Sequence, residues 1–594
     1  MKRKIFNDLN SQQLKAVQHI RGPSIILAGA GSGKTKVLVS KVINLIVNHK
    51  VSPSSVLMIT FTNKAASEMK RRITEHLSAK DNRLGFIGTF HSFCAMILRR
   101  DGENINVGRG FTIYDEADQE SVIKQIIKTM DNKGFSTGYF SNRISVAKNQ
   151  LISPDNYEKI FSDYNAHLVA EVYGKYQKEL VKNNSLDFDD LIFKVIELFK
   201  KKKDILGKYQ FRYQYVFVDE FQDTNHSQYC LTKLIAKKTQ NITVVGDFSQ
   251  SIYSWRGADI QNLEKFKQDF VKTQVYYLEQ NYRSTENILN FAYDVISKNQ
   301  THPVLDLFTN NKKGEDVIQQ ETENEEQEAI FISNEIEMIA KNNSYRDIAV
   351  LYRTNAQSRA IEEVFLHCGI PYMLVGGTRF YERKEVKDVL SYLRLLVNHQ
   401  DNVSQQRIIK IGKRKWQLFN GIREELAKSA ENKATAEIID EIFARTGYLK
   451  SYNPDNDEDY ARLENIRELK SVAMVFSSLT EFLQQVALVE SEYFDGEKKE
   501  RNKQGVRLMT LHQAKGLEFN FVFITGLEEG LLPHGRSIDD RFSLEEERRL
   551  FYVGITRARD KLYITYARRR FIFGRRTESV KSRFLGGEID NWYN

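Results

Sequence analysis

The chain has 594 residues, enough for about four structural units at roughly 150 residues each. A hydrophobic fraction of 41% with 11% aromatic residues excludes a disordered or fibrous chain. Its 87 basic against 78 acidic side chains leave a net charge of +9, a weak lean toward a polyanionic partner.

Three scattered cysteines, Cys94, Cys230 and Cys368, exclude a disulfide framework and offer no paired zinc ligands. The N-terminal MKRKIFNDLNSQQ carries the charges of a signal peptide without an apolar segment behind them. No run approaches the ~20 apolar residues of a membrane helix. A cytoplasmic protein without membrane contact is expected.

In chain order, short apolar runs at 24–28, 56–61, 215–218 and 242–246 read as buried strands followed by helical patterns. A second series follows at 348–352, 506–511, 521–525 and 562–566. Two α/β cores with parallel sheets are predicted. Long helical stretches interrupt each core, because strand-type segments resume after them. The string DEAD at 115–118 opens one of these helical patterns, and Asp115 or Asp118 is read as an N-cap. The four lysines at 200–203 read as a solvated helix end. Between Arg548 and Arg576 ten basic residues and one acidic one alternate with aromatics. That mixture suits a single nucleic-acid strand, with a solvated basic face as the alternative.

The segment 24–35, SIILAGAGSGKT, is an apolar strand, a glycine-rich turn and Gly-Lys-Thr opening a helix. Glycines let backbone N–H groups curl around phosphates, and the helix N-terminus adds its positive end. The turn comprises Ala28, Gly29, Ala30, Gly31, Ser32, Gly33, Lys34, Thr35 and Lys36, with Ala28 where the strict pattern has glycine. Lys34 is expected to reach the β- and γ-phosphates of ATP and Thr35 to ligate Mg²⁺. At 215–225, YVFVDEFQDTN ends a strand on two carboxylates. Asp219 would hold the Mg²⁺, and Glu220 would orient or deprotonate an attacking water.

Further blocks in this order are TFTNKAASEM (60–69), GTFHSF (88–93), DFDDLI (187–192), VGDFSQSIYSWRGADI (245–260) and LEQNYRST (278–285). LYRTNAQSR (351–359), GGTRFYERKEVKD (376–388), MTLHQAKGLEF (509–519) and EEERRLFYVGITRARDKL (545–562) follow. Together with Leu9, Asn10 and Gln13 these resemble the UvrD/Rep/PcrA group of superfamily 1 DNA helicases across nearly the whole chain.

The resemblance implies two RecA-like phosphate-loop cores with ATP in the cleft between them, each interrupted by a largely helical insertion. The first core is expected at 1–100 and 187–280 with its insertion at 101–186. The second is expected at 281–382 and 505–594, with a shortened insertion at 383–504. By matched positions, Gln13 would read the adenine edge, Tyr282 stack on its face and Glu518 bond the ribose. Gln250 would sense the γ-phosphate, with Arg283 and Arg557 as arginine fingers. Phe61, Tyr253, Trp255 and Phe573 would stack on DNA bases. Asn63, His91, Arg256, Asn355, His512 and Lys515 would make further DNA contacts.

The function implied is an ATP-dependent, 3′→5′ helicase and single-stranded DNA translocase. It would act on single strands and single/double-strand junctions in repair or replication restart. The alternative is a DNA-stimulated ATPase that displaces proteins and unwinds weakly. That alternative draws on IKIGKRK (409–415), which stands where relatives often carry an RGIG-type hairpin. A non-motor ATP-gated module is disfavoured by intact Glu220, Gln250, Arg283 and Arg557, and a metabolic phosphate-loop kinase would match one motif only. With 37 residues after Arg557, no appended nuclease domain is expected.

Overall fold

A computed structural model describes residues 6–77, 84–130, 135–430, 432–476, 478–497, 504–572 and 575–586. They form two compact units, Met1–Arg283 with His302–Asn310, and Ser284–Thr301 with Asn311–Asn594.

The first unit opens with helix α1 (Ser11–Gln18), strand β1 (Ser24–Ala28) and helix α2 (Lys34–Val47). β2 (Val56–Thr60), β3 (Phe86–Thr89), β4 (Thr112–Tyr114) and β5 (Ser185–Asp187) follow. Next come β6 (Tyr215–Val218), β7 (Ile242–Gly246), β8 (Gln274–Leu278) and β9 (Gln280–Asn281). Six strands make one parallel sheet in the order β3-β2-β6-β7-β1-β8. The continuous apolar runs are explained by burial on both faces. Ile25, Leu27, Leu57, Ile59, Val216 and Val218 point into one core with Phe93, Ile97 and Val195. Ile26, Ala28, Met58, Phe217 and Val245 point into the other, against Val37, Leu38 and Val42 of α2. The crossovers place the ends of β1, β6 and β7 side by side, where ligands collect in such sheets.

Between β4 and β5 the helices Glu116–Thr129, Thr137–Asn149, Pro154–Ile160 and Ala166–Lys182 surround a core of their own, including Ile123, Phe140, Ile144, Val169 and Tyr173. Asp115 is the N-cap of the first, in a capping box with Asp118, so the DEAD string is structural. Lys148 lies buried beside β5, 2.6 Å from Asp187 and 2.9 Å from Asp190. The Tyr176 hydroxyl donates to Asp187 as well.

In the second unit β11 (Ile318–Thr322), β12 (Ile348–Tyr352), β13 (Tyr372–Leu374), β14 (Val506–Thr510), β15 (Phe519–Ile524) and β16 (Ala558–Ala567) form the other sheet. Its order is β11-β16-β15-β12-β14-β13, again all parallel. The short pair β9 with β10 (Phe308–Thr309) belongs to the first unit. Between β13 and β14 the chain is helical from Lys384 onward, around buried Leu390, Leu393, Phe419, Ile439, Leu469 and Phe482. The fold is α/β, with two RecA-like parallel sheets. Among the described residues no helix is long and apolar enough to cross a membrane.

Within 548–570, packing and ion pairs take up much of the basic and aromatic character. Arg570 is buried between Glu328 and Glu528, while Arg549 and Arg557 are buried too. Lys561 pairs with Glu315, Arg568 with Glu321 and Arg569 with Glu323. Phe551, Tyr552 and Tyr563 are core residues. Local charge counting could not register carboxylates brought in from distant sequence.

Removing one partner of a buried ion cluster strands the others. Lys148→Met is therefore expected to destabilise the chain by about 3 kcal/mol, read as a lower urea midpoint by circular dichroism. An unchanged midpoint would contradict the assigned role.

Candidate active site

The turn after β1 is shaped by two left-handed glycines, Gly31 (φ 64°) and Gly33 (φ 86°). It closes on itself through Ser32, whose Oγ donates to Gly29 O at 2.8 Å. A second segment clasps it from outside. Gly29 N donates to Leu278 O at 3.2 Å, Asn281 Nδ2 to Ala30 O at 2.7 Å, and Tyr282 N to Gly31 O at 3.0 Å. A Cβ on Gly29 would lie 2.3 Å from Leu307 Cδ2, so a side chain there would require Leu307 to shift. Lys34 Nζ folds back to Ala28 O at 3.4 Å, inside the turn. Lys36 points away, donating to Asp8 O.

Gln13, near the start of α1, is buried. Its Oε1 accepts from Asn10 N at 3.2 Å and its Nε2 donates to Ser32 O at 2.9 Å. Two of the four hydrogen-bonding positions of its carboxamide are thus occupied. The ring of Tyr282 is half exposed, steered by its hydroxyl, which accepts from Asn10 Nδ2 at 2.9 Å and donates to Gln280 Oε1 at 3.1 Å. Gln13 and Tyr282 are therefore tied to one asparagine, Asn10, the N-cap of α1.

β6 ends on Asp219 and Glu220. Asp219 is buried and its Oδ1 has no hydrogen-bond partner. Burial, and then the adjacent Glu220 carboxylate, push Asp219 up to about 7. Burial also pushes Asp247 up at the end of β7, opposed by the Lys34 ammonium and the hydrogen bond from Gln250. Glu220 holds a left-handed backbone (φ 49°), a strained conformation for a side-chain-bearing residue and one that concentrates at functional sites. Its Oε2 accepts from Gln222 Nε2 at 2.7 Å, while Gln222 Oε1 accepts from Asp247 N at 3.1 Å. An orphaned carboxylate oxygen among further carboxylates and a lysine is a donor set that fits a hard divalent cation with phosphate.

One loop after β7 joins this chemistry to an exposed aromatic surface. Gln250 is buried and donates to Asp247 Oδ2 at 2.6 Å. Five residues on, Trp255 is 54% exposed, with Tyr253 at 6.4 Å between ring centroids and the Arg256 guanidinium 4.5 Å over the indole. The loop is tied back to the β6 turn by an Asn225–Ala258 bridge and by Asn262 Nδ2, which donates to Thr224 O at 2.8 Å.

Residues 9–271 match the UvrD/REP helicase N-terminal domain, and 276–417 with 411–569 match the UvrD-like helicase C-terminal domain. The chain belongs to the UvrD/REP helicase family. It is 43% identical over 635 aligned residues to the ATP-dependent DNA helicase PcrA of Staphylococcus aureus, covering 98% of this chain and 86% of that protein. The protein of the same name from Staphylococcus epidermidis is likewise 43% identical, over 634 residues.

In this helicase the other expected site residues distribute as follows. Phe61 and Asn63 stand at the end of β2, Asn63 opening the helix Asn63–Thr74. His91 is mostly enclosed, its ring 5.7 Å edge-on to Phe188, and burial lowers its pKa. Arg283 groups with the first unit, its N donating to Asn281 Oδ1 at 2.7 Å beside the phosphate turn. In the second unit Asn355 opens a short turn after β12, and His512 and Lys515 follow β14. Glu518 is paired with Arg559. Arg557 is buried, its guanidinium donating to Val553 O, Leu517 O and Thr556 Oγ1 at 2.9, 3.0 and 3.1 Å. Phe573 lies outside the described residues.

Sequence reasoning missed Asn281, Asp247 and Gln222, which shape the turn and orient Glu220. All three stood inside quoted motifs, so the signal was present. A Cβ on Gly31 would lie 2.7 Å from Asn281 Nδ2 and 2.8 Å from Arg283 Cβ, at a positive φ. Gly31→Ala should weaken binding of a fluorescent ADP by at least about tenfold, whereas Gly174→Ala should not. Equal affinities would refute the clasp.

Proposed function

We propose that this helicase is a single-stranded DNA translocase that moves 3′→5′ and uses ATP hydrolysis to separate strands at single/double-strand junctions. The polarity follows the family resemblance. The observation that carries the coupling is the loop after β7, which bears Gln250 against Asp247 and Trp255 in the open, with both ends tied to the β6 turn that carries Glu220. A displacement of Gln250 on loss of the γ-phosphate would be handed to the DNA-stacking side chains within six residues.

In this reading the N–H groups of Gly31, Gly33, Lys34 and Thr35, with the Lys34 ammonium, bind the phosphates, and Gln13 and Tyr282 hold the base. Glu220, oriented by Gln222, takes the proton of the attacking water, while Gln250, Arg283 and Arg557 answer the charge on the transferring phosphoryl group. Mg²⁺, held through Thr35 and Asp219, would neutralise phosphate charge. Tyr253, Trp255, Phe61 and Phe573 offer stacking faces, each worth about 1–3 kcal/mol per base without regard to sequence. Repair or replication restart is the setting such an activity suits.

Glu220→Gln is expected to lower DNA-stimulated ATP turnover by at least about a hundredfold with nucleotide still bound. Full turnover would remove Glu220 from the chemistry. Unwinding of duplexes bearing a 3′ or a 5′ tail tests the polarity, and preference for the 5′ tail would reverse it. Failure to unwind either, with streptavidin still displaced from a biotinylated strand, would favour the protein-displacing alternative.

A further inference from the structure

α1 carries Gln13 and is held at both ends. Its first turn is fixed to the segment after β8: Gln12 Nε2 donates to Glu279 Oε2 at 2.8 Å, Glu279 N donates to Gln12 Oε1 at 3.0 Å, and Asn10 Nδ2 donates to Gln280 Oε1 at 3.0 Å. At the other end, the last carbonyls of a helix have no partner within it. Here two side chains of α2 supply donors. Lys41 Nζ donates to Ala16 O at 2.9 Å, and Asn44 Nδ2 donates to Val17 O at 3.1 Å.

Lys41 is an unusual choice for that task. It is 2% exposed, and among the described residues no carboxylate lies within ion-pair distance. Burial pushes its amine down to about 7, and it in turn helps lower the pKa of nearby His19. A buried amine without a counter-ion costs stability that an apolar side chain would not. Packing alone therefore does not account for it.

The connections around Lys41 close a ring. α2 starts at Lys34, about two turns before Lys41. Lys41 holds the end of α1, and α1 carries Gln13. Gln13 in turn donates to Ser32 O at 2.9 Å, in the phosphate turn that leads into α2. In such a ring the position of the Gln13 carboxamide depends on the distance between α1 and α2, and Lys41 sets that distance at the end of α1 far from Asn10.

We propose that Lys41, assisted by Asn44, is a positioning residue for base recognition, holding α1 against the phosphate-loop helix so that Gln13 meets the adenine edge. It thereby sets the preference for ATP over other nucleoside triphosphates. This rests on the reading of Gln13 as the base-contacting residue.

The test uses DNA-stimulated hydrolysis of ATP and GTP by the full chain, with inorganic tripolyphosphate as a base-free competitor. Lys41→Met keeps the apolar stem and removes the donor. It should raise KM for ATP about fivefold, keep kcat within about twofold and lower the ATP-over-GTP preference by the same factor as KM rises. Tripolyphosphate inhibition should not change. Lys41→Arg retains a donor and should restore the preference. Asn44→Ala should act in the same direction and replaces Lys41→Met if that variant does not fold. A wild-type ATP-over-GTP preference in the donor-less variant overturns the proposal, as does a parallel loss of tripolyphosphate inhibition. Gln13→Ala separates the two levels: an unchanged preference there overturns the base-reading role itself, whereas loss there with retention in Lys41→Met overturns the tether alone.

Discussion

The backbone of Gly29–Ser32 is curled tightly on itself, Ser32 N donating to Gly29 O, and three hydrogen bonds to residues 278–282 hold it in that shape. The rest of the first unit follows from this clasp. It demands glycine at Gly31, where Asn281 and Arg283 approach at a positive φ, and it sets Leu307 close against Gly29. It brings β8 next to β1 at the sheet edge and so fixes Tyr282 and Arg283 beside the turn. Through Asn10 and Gln280 it orients α1 as well. A glycine-rich loop gains a defined conformation only when its surroundings oppose its large backbone entropy.

Electrostatics supplies the second constraint. Asp219 and Asp247 are buried at neighbouring strand ends with Glu220 close by and Lys34 as the nearby cation. Burial and repulsion from Glu220 raise both aspartates, so the protein alone accommodates their charge poorly. In the proposed reading, a divalent cation and a polyphosphate together would answer that imbalance. The strained backbone of Glu220 belongs to the same arrangement, since it turns the carboxylate toward Gln222 at the end of an otherwise regular strand.

Much of this was legible in the sequence where a backbone requirement restricts residue type. Gly31 and Gly33, the apolar runs of β1, β6 and β7, and the capping box at Asp115 are of that kind. Side-chain partners distant in sequence were not. The basic run near the C-terminus looked like a nucleic-acid surface, yet Arg570 is matched by Glu328, 242 positions away, and Glu528, 42 positions away. Nothing local marks Lys41 either, because no short pattern signals that a position is buried against the end of another helix.

The sequence by itself determined the chemistry: a phosphate turn, paired carboxylates at a strand end and an ordered set of helicase motifs, all carried by residue type over short spacings. The tertiary structure alone decided which charges are neutralised within the fold and which residues hold the turn in shape. It also decided that Gln250 and Trp255 share a loop anchored to Glu220's turn. Burial and long-range pairing arise only when distant segments pack, so they leave no local signature to read.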